Sequence, residues 1–486
     1  MPDFYGVKTK EVETSVNTPV VATSGITIAF GTAPIHQVDG TANEIILANS
    51  YDEAVSALGY SDDWEHYTLC EVIYSHFKLY GVAPLLLVNV LDPDKHKQAV
   101  TGATMQIANG QIALPEEALP DTIQLSKDEG SYKAGTDYDV FFNNGQCIVE
   151  ILPGGAIDRA NLTSVTVAYS KVNFTLSELT TELIGGYNVT TGKSTGLELM
   201  DMAYFKTGIL PDLLIAPGFS QNPAVAAVMA AKTTFSTVLS AHCICDIDTS
   251  TVKTYERAAE AKAGSGSFQN NEQITPWPML GLGDKKFRYS TQLAGAMCAL
   301  DYDNGGIPSK VASNKVLKAD SAILEDGTEV LLDLTQANYL RHQGIVTAYR
   351  FVNGFTSWGA FTAAWPNSND PKDVFINISR MFGFVRNTIV LTFWSQIDEN
   401  LTPRFAESIV DELNMWLNGL TNAGHLLGAR CEIKAEENPI ADMMSGIIRV
   451  HIYMTPPTPA QEIDYLLEYD VNYVSAVLGG SSGEEE

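Results

Sequence analysis

The segment at positions 191–195 reads TGKST and contains Gly-Lys-Ser, the end of a phosphate-binding loop. That loop wraps a phosphate in backbone N–H groups, so its length is fixed and another glycine must stand five residues before the first. Tyr187 occupies that position, and Gly186 is one residue too far. A nucleotide-dependent enzyme that uses Lys193 and Ser194 therefore stays only as an alternative hypothesis.

A second group of residues with metal-binding chemistry is His242 with the Cys243-x-Cys245 pair. A zinc site needs about four ligands, and no further ligand follows at a suitable spacing. We therefore interpret the two cysteines as buried apolar thiols. Asp246 and Asp248 come directly after this predicted strand, where α/β enzymes keep their sites, but an acidic pair without a third ligand is typical of a loop or cap.

The remaining titratable residues show no catalytic arrangement. The eight histidines are scattered, and no Gly-x-Ser-x-Gly nucleophile elbow is present. We therefore expect no catalytic residue, no cofactor and no metal, and we predict that the protein is not an enzyme.

The composition restricts the possible partners. The 486 residues include 30 Lys and Arg against 58 Asp and Glu, a net charge of −28. Nucleic-acid binding needs clustered cations, and so does docking on anionic membranes, so neither is expected. The start of the chain has no basic segment followed by an apolar run, so we predict no signal peptide, and no apolar run is long enough to span a membrane.

Apolar strands that alternate with helices predict a parallel α/β core. Ile26–Phe30, Leu85–Leu91, Leu213–Ala216 and Cys243–Ile247 are the short apolar runs. Ser50 and Glu53 form a capping-box pattern that predicts a short helix ending near Gly59. A second helix is expected from about Asp63 to Gly81, and an alanine-rich helix from Pro223 to about Leu239.

Between these strands, residues 95–195 are polar, with short β-like runs and an Asn-Gly turn at Asn144-Gly145 that predicts a hairpin. We interpret this segment as a β-rich insert that splits the α/β core. After residue 343 the pattern changes again. Helices are predicted at Arg380–Trp394 and after Thr402-Pro403, with strands at 428–434 and 446–453, which indicates an α+β domain.

The last segment has a clear period of two. Pro456, Pro457 and Pro459 form a linker, and the residues on one face of the strand that follows are apolar. These are Ile463, Tyr465, Leu467, Tyr469, Val471 and Tyr473. A lone strand must join a sheet to satisfy its backbone groups. It either folds back on its own domain or is donated to a neighbouring subunit, and the proline-rich spacer favours donation.

The C-terminal third resembles the contractile tail sheath proteins of bacteriophages and of related phage-tail-like bacteriocins. The residues that carry the resemblance are NYLRHQGIVTAYRFVNGFTSWGAFTA (338–363), DVFINISRMFGFV (373–385), GARCEIKAEENP (428–439) and SGIIRVHIYMTPPTPAQEIDYLLEYD (445–470). Near the start, FYGVKTKEV (4–12) is also similar to that family. So is TTGKSTGLELM (190–200), as the return from insert to core, which gives the Gly-Lys-Ser a structural reason.

The resemblance implies that many copies polymerise, as rings or helical strands, around an inner tube in a metastable extended state. Extended arms would complete the sheets of neighbouring subunits, through the C-terminal residues above and through Tyr5, Val7 and Thr9 near the N-terminus. The linker prolines would act as a hinge. Contraction, triggered at a baseplate, would drive the tube through a target envelope without hydrolysis. The implied partners are further copies of the chain, the tube protein, and baseplate and terminator proteins.

We therefore expect an α/β core with a split, mostly parallel sheet and flanking helices, an inserted β-rich domain, a C-terminal α+β domain and two extended arms. The expected division is 1–20, 21–94 with 196–342, 95–195, 343–456 and 457–486. The resemblance places the protein in a virion tail or tail-like particle assembled in the bacterial cytoplasm. Besides the enzyme, a surface-binding adhesin that uses the insert stays as an alternative.

Overall fold

The computed structural model describes residues 22–127, 130–143, 145–158, 163–235, 238–264, 266–352, 354–471 and 473–474. The predicted N-terminal arm residues Tyr5, Val7 and Thr9 lie outside the described residues.

The N-terminal part supplies three strands and two helices of the core. They are β1 (Thr27–Gly31), β2 (Ile45–Ala48), α1 (Tyr51–Leu58), α2 (Thr68–Ile73) and β3 (Leu85–Asn89). The side chain of Ser50 accepts the N–H of Glu53 and so caps α1, as the capping pattern predicts. The second predicted helix begins at Thr68, later than expected, and continues in π-helical form to Tyr80 before Gly81 ends it in a left-handed conformation.

The described residues of the insert form seven strands. They are β4 (Lys97–Gln106), β5 (Gln111–Leu114), β6 (Gln124–Lys127), β7 (Gly130–Ser131), β8 (Tyr138–Asn143), β9 (Gln146–Ile151) and β10 (Ser164–Val172). They form a sheet in the order β4-β10-β6-β7 and another in the order β5-β9-β8. β8 and β9 pair from Asn143 to Gln146, which confirms the predicted hairpin. Buried residues from both sheets, among them Ile112, Val149 and Val167, form a hydrophobic core separate from that of the α/β sheet.

The chain then returns to the core. The elements are α3 (Thr180–Ile184), β11 (Gly186–Asn188), β12 (Lys193–Thr195), α4 (Ala203–Thr207), β13 (Leu213–Ile215), α5 (Pro223–Ala231), β14 (Thr234–Phe235), β15 (Leu239–Ser240), β16 (His242–Ile244), α6 (Tyr255–Gly264) and β17 (Gln273–Ile274). The prediction that α5 extends to Leu239 is wrong. The helix ends at Ala231, and the β-branched Thr233 and Thr234 lead into the β14–β15 hairpin.

The last third adds β18 (Met279–Leu282), β19 (Lys285–Phe287), α7 (Tyr289–Asp303), β20 (Ser321–Ile323), α8 (Leu334–His342), β21 (Thr347–Phe351), β22 (Gly354–Trp358), α9 (Pro371–Val374), α10 (Ile376–Phe393), α11 (Pro403–Asn422), β23 (Gly428–Glu432), α12 (Ile440–Met444) and β24 (His451–Thr455). Short 3-10 helices lie at Ile35–Gln37, Pro120–Thr122, Gly196–Met202, Trp394–Gln396 and Ala435–Glu437. The side chain of Thr402 caps α11, as predicted.

The central sheet has the order β17-β16-β13-β1-β3-β2. Every neighbouring pair in it is parallel except β2–β3, so the prediction of a split, mostly parallel sheet is confirmed. The main hydrophobic core also includes Met381 and Phe384 of α10 and Leu417 of α11. The C-terminal elements therefore share one core with the central sheet.

A buried ion pair joins α2 to the segment before α7. Glu71 accepts the backbone N–H of Arg288 at 2.6 Å and its guanidinium at 3.0 Å. Burial raises the pKa of Glu71 to about 7, and the Arg288 charge only partly opposes this rise.

The pKa of Glu71 predicts a pH dependence. The folded chain holds this proton to a higher pH than the unfolded chain, so its contribution to stability falls as pH rises from about 4.5 to about 7. We expect wild type to lose up to about 3 kcal/mol relative to Glu71→Gln between pH 4.5 and pH 7.5. Denaturant unfolding of both proteins at the two pH values measures the difference, and an unchanged difference would contradict the assignment.

Candidate functional site

The Gly-Lys-Ser segment forms the end of a small hairpin. β11 pairs antiparallel with β12, with Tyr187 opposite Ser194, and the Asn188 side chain accepts the N–H groups of Thr190 and Thr191. The next helical segment is the 3-10 helix from Gly196 to Met202. A phosphate cradle requires a buried strand, a loop of fixed length and a helix N-terminus, and this hairpin provides a different geometry.

The His242 and cysteine group is part of the core. The sulfur atoms of Cys243 and Cys245 lie 3.9 Å apart and are both buried, whereas the His242 ring bonds the Ser379 hydroxyl of α10 at 2.8 Å. Burial, with the nearby Arg380 charge, lowers the pKa of His242 to about 3, so the ring is neutral. Among the described residues, no group of three or more His, Cys, Asp or Glu side chains could hold a metal ion.

The two aspartates after β16 have structural partners. Asp246 is buried and accepts both the N–H and the hydroxyl of Ser290, at the start of α7. Asp248 accepts hydrogen bonds from the side chains of Ser250 and Thr251 within its own loop. Both carboxylates therefore fix local chain conformation, as the interpretation of a loop or cap predicts.

A buried charge cluster holds the first described residues against α10. The Arg380 guanidinium lies 2.5 Å from Asp212 and 2.5 Å from Asp301, and it donates to the Ser24 hydroxyl at 2.9 Å. The N–H groups of Gly25 and Ile26 donate to Asp212. Burial and the neighbouring Asp212 charge raise the pKa of Asp301, against the lowering effect of Arg380. No local pattern predicts this cluster, because its residues are distant in the chain.

The C-terminal linker lies against the body of its own chain. Pro456 is buried, the Pro457 carbonyl accepts the Asn377 side-chain amide at 3.0 Å, and Arg341 donates to the Gln461 side chain at 2.7 Å. The predicted hinge prolines Pro456, Pro457 and Pro459 therefore precede the hydrogen bond between Arg341 and Gln461.

Beyond Gln461 the arm leaves the body. Residues 457–470 form neither helix nor strand, and the apolar residues of the predicted strand are 67–97% exposed. These are Ile463, Tyr465, Leu467, Tyr469, Val471 and Tyr473. Large apolar side chains at such exposure, six of them on one predicted face, are typical of a surface that another molecule covers. In the described part of the chain, the arm pairs with no strand of its own subunit.

The same region contains a short two-stranded sheet with an open edge. β23 and β24 pair antiparallel from Gly428 with Thr455 to Glu432 with His451. The Asn414 side chain of α11 binds both the N–H and the C=O of Cys431, so these groups face the outer edge of β23. Cys431 therefore forms a non-hydrogen-bonded pair with Ile452, and the backbone groups of Ile452 face the outer edge of β24.

The two faces of this pair differ. Ala429, Ile452 and Met454 pack toward the main core, whereas Arg430 lies on the other face with its guanidinium 3.8 Å from the centre of the Tyr453 ring. An open groove of about 400 Å³ runs over the end of the pair. One edge is thus occupied by Asn414. The other edge pairs with no strand among the described residues and lies between an apolar and a polar face.

No described helix is both long and apolar enough to cross a membrane. No protein-family model matches the chain. The tail sheath protein of Burkholderia phage BcepMu is 25% identical over 495 aligned residues, which cover 98% of this chain and 99% of that protein. That relative is a structural protein of a phage tail by its name.

Solved structures share the fold. The sheath complex of an extracellular contractile injection system, PVC, in its contracted state matches with a TM-score of 0.56 at 15% identity, over 97% of this chain and 99% of that one. The contracted helical sheath of the anti-feeding prophage matches with a TM-score of 0.57 at 13% identity, over 97% of this chain and 100% of that one. Similarity to a curated tail sheath protein over nearly the whole length, together with the fold shared with contractile sheaths, supports the interpretation of the chain as a structural subunit of a contractile tail sheath.

Proposed function

We propose that the chain polymerises around an inner tube in a metastable extended state and that the C-terminal arm holds neighbouring copies together by strand addition. The observation that carries this proposal is the arm itself, whose alternating apolar residues are exposed beyond Gln461. An extended segment added to a sheet edge gains main-chain hydrogen bonds. Because its side chains alternate, its apolar residues all lie on one face of the extended sheet.

The outer edge of β24 in a neighbouring copy is the proposed acceptor. Its backbone groups at Ile452 are oriented outward, and its inner face is apolar. An arm strand there would turn Ile463, Tyr465 and Leu467 toward the apolar layer. Asp464 and Glu468 would then face the side that carries Arg430.

The proposal extends to the other partners. The tube, the baseplate and the terminator would bind the polymer, and contraction would be a change in subunit packing that needs no nucleotide. The solved relatives include a contracted sheath and baseplate assemblies of the anti-feeding prophage, which supports self-assembly and baseplate association. The same proposal includes assembly in the bacterial cytoplasm and the domain division given above. It also includes a strand-donating role for Tyr5, Val7 and Thr9 and a hinge in the linker.

A peptide test separates strand addition from other contacts. A peptide of residues 462–474 is expected to bind a chain that ends at Gln461, because the arm is absent and the β24 edge is free. Ile452→Pro in that chain should abolish binding, since proline removes the outward N–H while an edge strand tolerates the ring. Fluorescence anisotropy of a labelled peptide measures the affinity.

A peptide of the same composition without the alternation is the control and should not bind. Equal binding of both peptides, or binding unaffected by Ile452→Pro, would contradict the proposed acceptor.

A further inference from the structure

Helix α10 carries polar residues on its buried side, and these residues hold several different segments of the chain. Asn377, Ser379, Arg380, Asn387 and Thr388 are all buried. Asn387 binds the N–H and C=O of Ser240, and Ser379 bonds the Asn271 carbonyl. A buried polar group is stabilised only when it is hydrogen-bonded, so these partners fix the helix in one position.

Three of these residues hold the two ends of the described body. Asn377 donates to the carbonyl of Pro457, at the root of the C-terminal arm. Arg380 donates to the Ser24 hydroxyl, and the Thr388 hydroxyl accepts the N–H of Ala22, at the start of the described chain. With 100° between successive residues, the three lie within about 80° on one face of the helix, and Asn377 and Thr388 are about 16 Å apart along the axis.

We propose that α10 is the common root of both arms, with Asn377 as the positioning residue on the C-terminal side. This inference rests on the proposed function, because the root matters only if neighbouring copies hold the arms. A single rigid helix then sets the distance and direction between the two points at which the arms leave the body of the subunit. The body of a subunit can then change its packing against neighbouring subunits while the two arm roots keep the same relative position.

A second contact to the C-terminal linker, through Arg341, supports the same assignment. Arg341 binds Gln461 and also lies 4.9 Å from the Trp358 ring and within 3.3 Å of the Ser313 hydroxyl. The linker is therefore fixed at two points, Pro457 and Gln461, before the arm becomes exposed. In a single copy the point of free rotation is therefore assigned to the residues after Gln461, and the linker prolines can act as a hinge only when both contacts are released.

The test uses the full-length chain in solution. Thr23 and Ala460 are exposed and lie next to the two roots, and all six native cysteines are buried. Spin labels on Thr23→Cys and Ala460→Cys should give one narrow distance distribution in pulsed electron paramagnetic resonance. Adding Asn377→Ala to this labelled chain should widen the distance distribution at least twofold. Adding Gln461→Ala to Asn377→Ala should widen it further, and this second substitution changes no buried group.

Asn387→Ala is the matched control. Asn387 lies on the same helix, is 2% exposed like Asn377, and also binds backbone, but it holds Ser240 and not an arm root. Its variant should leave the distribution narrow. A broad wild-type distribution, equal broadening in both asparagine variants, or no broadening in the Asn377→Ala, Gln461→Ala pair would overturn the inference.

The functional consequence is measured on polymers. Polymers of the Asn377→Ala, Gln461→Ala chain should show at least a twofold wider spread of tube diameters in electron micrographs, and those of Asn387→Ala the wild-type spread. A wild-type spread in the double variant would overturn the positioning role while leaving strand addition intact. Normal tubes from a chain that lacks the arm would instead contradict the proposed function, so the two failures are distinguishable.

Discussion

A chain that ends at Gln461 is expected to fold normally and to form no ordered polymers. Residues after Gln461 make few contacts with their own subunit, so the free energy of unfolding should change by less than about 0.5 kcal/mol. Polymerisation should be lost because the strand that joins copies is absent. Denaturant unfolding measures the first quantity, and electron microscopy at high protein concentration measures the second.

Two full-length variants serve as controls for this truncation. Leu467→Asp with Tyr469→Asp places charges on the apolar face of the arm and should abolish tubes as the truncation does. Glu468→Gln with Asp470→Asn changes only the other face and should leave tubes in place. Tubes of normal form from the truncated chain would show that the arm is dispensable.

Arg380→Met is expected to cause the largest loss of stability of any single substitution considered. It leaves the carboxylates of Asp212 and Asp301 without their cation in a site where Asp301 is fully buried, and breaking such a pair costs about 3–5 kcal/mol. The shift of the denaturation midpoint, multiplied by the slope of the transition, measures the loss.

The control for Arg380 lies on the same helix. The Arg386 side chain is half exposed, and its guanidinium nitrogen lies 3.6 Å from a carboxylate oxygen of Glu272. Arg386→Met should therefore lower the free energy of unfolding by no more than about 1 kcal/mol. Adding Asp301→Asn to Arg380→Met should recover part of the stability, because it removes one unpaired buried charge. Equal losses for the two arginine variants would mean that the cluster around Arg380 is not the main contact that holds the first described residues against α10.

Local signals in the sequence predicted the elements that they control. Ser50 and Glu53 predicted α1, and Thr402-Pro403 predicted the start of α11, because a cap satisfies backbone groups within a few residues. The near-continuous apolar run at Leu85–Leu91 predicted a strand of a parallel sheet, which is confirmed by the parallel pairing of β3 with β1. These features depend on short stretches of chain, so one sequence is sufficient to recognise them.

Features that depend on distant segments were not predictable from the sequence. The polar residues of α10 would be placed in solvent by their type, yet Asn387 is buried because it binds Ser240, which is 147 positions away. The predicted end of α5 is wrong because Ala230 and Ala231 continue a helical composition, whereas the chain enters the β14–β15 hairpin, whose Ser240 binds Asn387 of α10.

The candidate site was predictable only in part. The alternation of Ile463, Tyr465 and Leu467 identified the arm, because a period of two is a property of the strand itself. Tertiary packing determines the linker contacts of Asn377 and Arg341 and the open edge at Ile452, and these features have no pattern in the sequence. The described residues of the arm, 457–471 and 473–474, also form no strand in a single chain, since a strand needs a partner for its backbone groups.

Helical reconstruction of tubes formed by the full-length chain shows directly whether the C-terminal arm joins neighbouring copies. Residues 463–473 are expected to form a strand beside β24 of a neighbouring copy, with Tyr465, Leu467 and Tyr469 toward the apolar layer. An arm that instead pairs with a sheet of its own subunit, or tubes in which the β24 edge stays open, would contradict strand addition between copies.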